Sequence, residues 1–236
     1  MRISKTLTVR GQKARIISDA LTLDLHAPGR GIFCVEADSV GKGDRITYSA
    51  GYGLETERMF TGYAAEVKRI DRVQWRVMAR DYSGLLELRC PIAQRNTSGE
   101  KVLKEIHDRL GVGFRLGKSV CQQFRDPISH FFNIRSGASA IDTLGIHLQI
   151  KDFICRCEPD GEIFIGTGDD VRNVETVLGI PAQFFTEKTV SDAVCPLLPA
   201  LRPGRRIKIG DGDIFRVEQI QISGMKMRLT FERTEE

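Results

Sequence analysis

Four carboxylates in the first ninety residues are the best candidates for acid–base chemistry. They are Glu55, Glu57, Asp81 and Glu87. Glycoside hydrolysis needs two such groups, one acid and one base or nucleophile, held roughly 5 to 9.5 Å apart. No nucleophile elbow, phosphate-binding loop or metalloprotease motif accompanies them in the sequence. We therefore expect a protein that is not an enzyme.

The close cysteine pair Cys155 and Cys157 is the best candidate for a metal site. Two thiolates can bind zinc, but a structural site needs a second pair of ligands, and no C-x-x-C or C-x-x-H pair follows at finger-like spacing. Alternate residues of a strand share one face, which explains the spacing without a metal. The six cysteines are scattered through a long chain and the four histidines are isolated, so we expect free thiols, no metal and no cofactor.

Basic residues outnumber acidic ones only slightly, 35 to 31, for a net charge of +4. The densest basic stretch is 202–208, with Arg202, Arg205, Arg206 and Lys208. Aromatic residues are not interleaved with these charges, as they are on a platform that stacks single-stranded bases. Solvated strand ends are the simplest interpretation of this stretch.

The length of 236 residues fits one large or two modest domains. No apolar run approaches the roughly 18 to 20 residues that cross a bilayer, and the first residues lack the apolar region of a signal peptide. We expect a protein made in the cytoplasm, with no membrane partner.

Residues 1–92 are predicted to form short strands. Apolar and polar residues alternate over 6–9 and 21–25, and a Pro-Gly turn at 26–31 leads into 32–35. Gly62, inside the long run 58–70, predicts a bulge or sharp bend. Short strands with regularly spaced turns are typical of a sandwich or a small barrel.

Residues 97–168 have a different pattern and are predicted to form an inserted α+β domain. Apolar residues at helical spacing lie between N-cap residues at 96–98 and Gly111, which predicts one helix. A second helix is predicted over 139–148. The turn 158–161, Glu-Pro-Asp-Gly between two alternating runs, predicts a hairpin.

Residues 174–236 return to strands. The proline-rich segment 196–204 excludes a helix interior or a central strand. The runs 206–209, 214–222 and 225–231, separated by turns, predict three strands in meander order.

The order of these segments resembles baseplate hub proteins, the late-control-D-like family of contractile phage tails and related injection systems. Segments 58–63 and 77–86 are similar to the strand pair of that family. Similar helix, hairpin and proline-entry segments recur in the same order over residues 58–231, at 100–103, 110–112, 140–144, 158–166 and 198–204.

The resemblance implies a mainly β fold in which tail-tube-like β-barrel domains, at 1–92 and 174–236, flank the insert at 97–168. It implies a homotrimer whose two barrels per protomer form a pseudo-sixfold ring in the virion baseplate. The ring would connect the tail tube or an adaptor protein to the central spike, let DNA or cargo pass, and meet other baseplate proteins through the insert. Because the chain is short for the family, we expect the second barrel to be minimal or to borrow strands from the insert.

Two sets of residues follow from that resemblance. Ring contacts are expected in 60–70 and 214–222, at Phe60, Gly62, Tyr63, Val67, Phe215, Val217 and Ile220. Contacts with passing DNA phosphates, without sequence specificity, are expected at Arg202, Arg205, Arg206 and Lys208. Salt bridges between protomers, or plain solvation, are the alternative for these basic residues.

Two other functions remain open. An oligonucleotide-binding β-barrel would use exposed aromatic residues, which Phe33, Tyr48, Tyr52, Phe60 and Tyr63 could supply. A tail-associated cell-wall hydrolase would need an acid–base pair or a metal-ligand cluster.

Overall fold

The computed structural model describes residues 3–174, 177–210 and 212–233. Within these ranges it contains seventeen strands and four α-helices. The predicted fold class, mainly β with an α+β insert, is confirmed. None of the helices in these ranges is long and apolar enough to span a membrane.

The first six strands close into a barrel. They are β1 (Ile3–Val9), β2 (Gln12–Asp24), β3 (Arg30–Glu36), β4 (Arg45–Tyr52), β5 (Glu55–Arg69) and β6 (Gln74–Asp81). They are hydrogen-bonded in the order β1-β4-β5-β6-β3-β2, and β2 pairs back to β1. All of these pairings are antiparallel. Closure gives hydrogen-bond partners to backbone N–H and C=O groups that would stay unpaired at the edges of an open sheet.

The barrel core is built by alternate side chains of these strands, as expected for a pleated strand. Leu7, Phe33, Tyr48 and Val77 are fully buried, and the Phe33 ring stacks on Tyr48 at 5.5 Å between centroids. The Tyr48 hydroxyl donates a hydrogen bond of 2.9 Å to Asp19. Burial, together with the Asp19 charge, raises the pKa of Tyr48, so the hydroxyl stays protonated and anchors this end of the core.

Gly62 allows β5 and β6 to approach closely. A Cβ at this position would lie 2.0 Å from the carbonyl oxygen of Arg80 and 2.8 Å from the Cα of Asp81. The predicted irregularity of this strand is present nearby, where the β5–β6 register shifts between Ala64 and Glu66. Position 62 therefore requires glycine, because the paired strands β5 and β6 leave no room for a Cβ atom there.

The insert contains four helices, five strands and a 3₁₀ helix at Tyr82–Glu87 within the described residues. They are β7 (Ile92–Ser98), α1 (Gly99–Leu110), β8 (Phe114–Leu116), α2 (Cys121–Arg125), β9 (Pro127–Asn133), α3 (Gly137–His147), β10 (Phe153–Cys157), β11 (Ile163–Thr167) and α4 (Gly168–Val174). β7 pairs with β9, while β10, β11 and β8 form a second small sheet. One hydrophobic core joins most of these elements and includes Leu86, Ile92, Ile106 and Ile165.

Both predicted helices and the hairpin of the insert are confirmed. α1 begins after Ser98, whose hydroxyl accepts the Lys101 N–H, and ends at Gly111 in the left-handed conformation. α3 covers most of the predicted 139–148. β10 and β11 pair antiparallel on either side of the predicted turn.

The C-terminal strands extend the barrel sheet. They are β12 (Leu178–Ile180), β13 (Glu187–Lys188), β14 (Asp192–Pro196), β15 (Arg206–Ile209), β16 (Ile214–Ser223) and β17 (Lys226–Arg233), with a 3₁₀ helix at Ala182–Phe184. β16 pairs with β2, from Gln219 opposite Asp24 to Ser223 opposite Ala20. All twelve strands of the two terminal regions thereby belong to one sheet.

The second barrel was expected to be minimal or to borrow strands from the insert. Among the described pairings, the C-terminal sheet takes no strand from the insert. It pairs with β2 of the first barrel, a thirteen-residue strand that also pairs with β1 and β3. The described pairings end at β13 and β12. One hydrophobic cluster joins barrel residues such as Phe33 to C-terminal residues such as Val217.

Candidate interaction surfaces

Several residues expected at ring contacts lie inside the protomer. Phe60 is 2% exposed, and Val217 and Ile220 are fully buried in the shared core. Gly62 is also buried. These side chains have no surface to offer a neighbouring subunit, so any ring contact made by β5 or β16 must use their outward-facing residues.

The other expected ring residues are partly accessible. The Tyr63 ring stacks on Tyr82 at 6.3 Å, where β5 meets the insert. Val67 is half-buried near the end of β5, and Phe215 packs on Phe231 at 4.8 Å. A contact between copies at these three positions remains a prediction.

A row of exposed residues crosses the barrel exterior and was missed from the sequence. In register across β5, β6, β3 and β2 lie Glu66, Met78, Ile32 and Ala20. Met78 and Ile32 are 42% and 39% exposed. Their alternation with the buried Val77 and Phe33 was a visible signal, but only the register places them side by side.

The basic stretch is partly used within the protomer. Arg202 donates a hydrogen bond of 2.8 Å to the Arg58 carbonyl, and Arg205 donates one of 2.8 Å to the Ala200 carbonyl. Lys208 is exposed on β15, and Arg206 is half-buried two residues earlier on the same face. Arg202 therefore positions the proline-rich segment against the barrel, and Arg206 and Lys208 are better placed to meet a phosphate.

The candidate carboxylates are held in separate structural roles. Asp81 accepts hydrogen bonds from the Gly29 N–H at 2.6 Å and from the Ser83 N–H at 3.0 Å; burial raises its pKa and these bonds oppose the rise. Glu87 forms a bidentate pair with Arg80, at 2.6 and 2.8 Å, and that bonding lowers the pKa of Glu87.

The other two carboxylates lie on the exposed start of β5. Glu57 is 3.9 Å from Arg202 and Glu55 is exposed. Asp81 and Glu87 thus form hydrogen bonds and an ion pair within the fold. The positions of the four carboxylates therefore do not favour a hydrolytic acid–base pair.

The thiols of Cys155 and Cys157 lie on β10, on one strand face. Burial, with the nearby charges of Asp142 and Asp81, raises the pKa of Cys155 to about 12. Burial also raises the pKa of Cys157. Protonated thiols are poor nucleophiles and poor metal ligands. Among the residues that the structure describes, no three His, Cys, Asp or Glu side chains are grouped to hold a metal ion.

The aromatic residues weighed for base stacking are mostly unavailable. Phe33, Tyr48 and Phe60 are buried in the core, and the Tyr52 hydroxyl donates a hydrogen bond of 2.6 Å to the Leu197 carbonyl. A stacking platform needs accessible ring faces. The geometry of these rings therefore does not favour an oligonucleotide-binding surface.

The β10–β11 turn joins the insert to the barrel. The Thr61 hydroxyl of β5 donates a hydrogen bond of 2.6 Å to the Pro159 carbonyl. The largely buried Arg156 side chain pairs with Glu158 at 2.9 Å and donates a hydrogen bond to the Pro203 carbonyl. Three regions of the chain therefore meet at this junction. The cavity there holds about 30 Å³, far below the roughly 300 Å³ of a small-molecule site.

Comparisons of sequence give one distant relative. No protein-family model matches the chain. An uncharacterised 58.7 kDa protein of Haemophilus phage HP1 is 22% identical over 227 residues, which cover 95% of this chain and 41% of that protein. The chain thus spans less than half the length of this curated relative.

Comparisons of structure give much fuller coverage. The 43 kDa tail protein of prophage MuSo2 from Shewanella oneidensis superposes with a TM-score of 0.74 at 10% identity, covering 99% of this chain and 98% of that one. A tail protein from Neisseria meningitidis MC58 gives 0.69 at 10% identity, covering 99% and 97%.

A third solved structure comes from a secretion machine. An E. coli component of the type VI secretion system, described as structurally similar to the T4 bacteriophage tail proteins gp27 and gp5, gives a TM-score of 0.64 at 14% identity, covering 98% of this chain and 77% of that one. The chain therefore has the fold of phage tail proteins.

Proposed function

We propose that this chain is a structural protein of a phage-like tail, and specifically the baseplate hub that joins the tail tube to the central spike. The observation that carries this proposal is the superposition on a prophage tail protein over 99% of this chain and 98% of the other. A match of that extent includes the barrel, the insert and the C-terminal sheet in one arrangement. The distant phage relative supports the same assignment.

The protomer has features that suit a ring of three copies. Its C-terminal sheet ends at β12 and β13 in the described pairings, and open strand edges are stabilised when a neighbour covers them. The outward row of Ala20, Ile32 and Met78 offers apolar surface on the barrel. Closed symmetric rings are a common way to bury such surfaces, with permanent interfaces of roughly 2,000 Å² or more.

The partners follow from the position of a hub. The ring would contact a tail tube or adaptor protein on one side and a spike protein on the other, and the insert would meet other baseplate proteins. Arg206 and Lys208, on the outward face of β15, would face the channel and contact DNA or cargo through charge alone. Such contacts weaken steeply with added salt.

The mass of the purified protein in solution tests the ring. Light scattering at moderate salt over a concentration series should give a stable species near three times 26.4 kDa. Negative-stain images of that species should show a ring with a central opening, which separates a hub from other trimers. A monomer at every concentration, or a trimer with no opening, would contradict the proposal.

A further inference from the structure

The two-stranded sheet of β7 and β9 presents an apolar face to solvent. Ala93 pairs with Phe132, which is 66% exposed, and Ile134 two residues on is 59% exposed. The alternate residues Ile92 and Phe131 are buried against the core of the insert. One side of this sheet therefore has a partner in the protomer, and the other side has none among the described residues.

Arginines lie at both ends of this apolar face. Arg95 pairs with His130 at one end, on the same side as Phe132. Arg89 lies opposite Ser136 at the other end. Neither arginine has an ion pair with any described residue, and both are exposed. We call the surface formed by Arg89, Ala93, Arg95, Phe132 and Ile134 the arginine-flanked face.

A complementary feature occurs elsewhere in the same chain. The hairpin between β4 and β5 carries Leu54 at its tip, with a relative exposure of 102%. Glu55 and Glu57 follow on the exposed start of β5; Glu57 has only a long contact of 3.9 Å to Arg202. Arg58 points to the opposite side of the strand from Glu57. We call the segment Leu54, Glu55 and Glu57 the acidic tip.

We propose that the acidic tip of one copy of this chain docks on the arginine-flanked face of the next copy. Leu54 would cover the Phe132 side chain, and the two glutamates would lie against the arginines. Burial of apolar surface supplies affinity, while opposite charges at the rim select the partner and speed encounter. Because the two surfaces differ, the contact is head-to-tail, the type that forms a ring when the rotation between successive copies closes. The inference rests on the proposed ring and names two of the surfaces that hold it.

A photo-crosslinker tests the contact directly. p-Benzoylphenylalanine in place of Leu54 in the full chain, irradiated and digested for mass spectrometry, should crosslink to peptides of a second copy that contain 89–95 or 130–134. The matched control carries the same crosslinker at Ile146, which is 79% exposed on α3 and lies on no strand edge. It should give no crosslink to those peptides.

A substitution gives an independent readout. Phe132→Ser should raise the concentration at which half of the oligomer dissociates by roughly tenfold, as for loss of a central apolar contact. Ile146→Ser should change it by less than about twofold, the scale of a surface substitution. Both residues are exposed, so both variants should keep the wild-type far-ultraviolet circular dichroism spectrum, which reports the fold of the protomer.

The outcomes separate this inference from the ring itself. Crosslinked oligomers whose peptides lie elsewhere, or an unchanged dissociation concentration for Phe132→Ser, would overturn the tip-to-face contact and leave the ring standing. If the wild type forms no oligomer and the crosslinker at position 54 joins no two copies, both the contact and the ring would be overturned.

Discussion

Replacing Gly62 by alanine tests the packing of the barrel. The added Cβ would lie 2.0 Å from the Arg80 carbonyl oxygen and 2.7 Å from the Arg80 carbonyl carbon. Both atoms belong to the backbone of β6, so no side chain can rotate away and the β5–β6 pair must shift. Overpacking of this kind costs about 1 to 3 kcal/mol. For a chain of this length that is a fall in melting temperature of about 2 to 12 °C.

The matched control is Gly179→Ala. A Cβ at Gly179 meets nothing within 4 Å, and this glycine does not have a positive φ. Its replacement should leave the melting temperature unchanged or raise it slightly, since alanine restricts the unfolded chain. The assay is thermal unfolding followed by circular dichroism, with urea unfolding as a second measurement. If Gly62→Ala proved as stable as Gly179→Ala, the close approach of β5 and β6 would be refuted.

Three further predictions concern the core, the junction and the hydrogen-bonded network of Asp170. Phe33→Ala should lower the free energy of unfolding by about 3 to 5 kcal/mol, measured in urea; a loss below about 1 kcal/mol would contradict its full burial. Thr61→Val removes the hydrogen bond to the Pro159 carbonyl and should cost about 1 kcal/mol, with faster proteolysis of the insert; equal cleavage rates would count against a docking role. Burial tends to raise the pKa of Asp170, but hydrogen bonds from Ser119 and Thr167 outweigh burial and lower that pKa. Ser119→Ala should therefore raise the pKa of Asp170, measured by NMR titration.

The sign of the Asp170 effect on stability follows from linkage. Because the folded pKa is lowered, the carboxylate stabilises the fold above its unfolded pKa, and this contribution is lost as the pH falls through the folded value. Ser119→Ala should therefore be less stable than the wild type at neutral pH, and the two should converge in acid. A stability difference that grew with acidity would contradict the hydrogen-bonded network.

Local features of the sequence determined much of the secondary structure. Ser98 and Gly111 set the ends of α1 because a side-chain cap and a left-handed residue act within a few positions. The Pro-Asp-Gly turn after Glu158 set the β10–β11 hairpin, because the backbone preferences of adjacent residues determine a turn. Alternation of apolar residues predicted the strands, since the side-chain period of a strand needs no distant partner.

Only the tertiary structure decided how those elements combine. β2 and β16 lie near opposite ends of the sequence, yet they pair, with Asp24 opposite Gln219. No local pattern specifies which distant strand will be a strand's neighbour. The same pairing buries Val217 and Ile220, which the sequence had suggested as contact residues. A period of two separates the faces of a strand, but the partner strands determine which face becomes core. The exposed row and the two complementary surfaces therefore emerged only once the strands were in register.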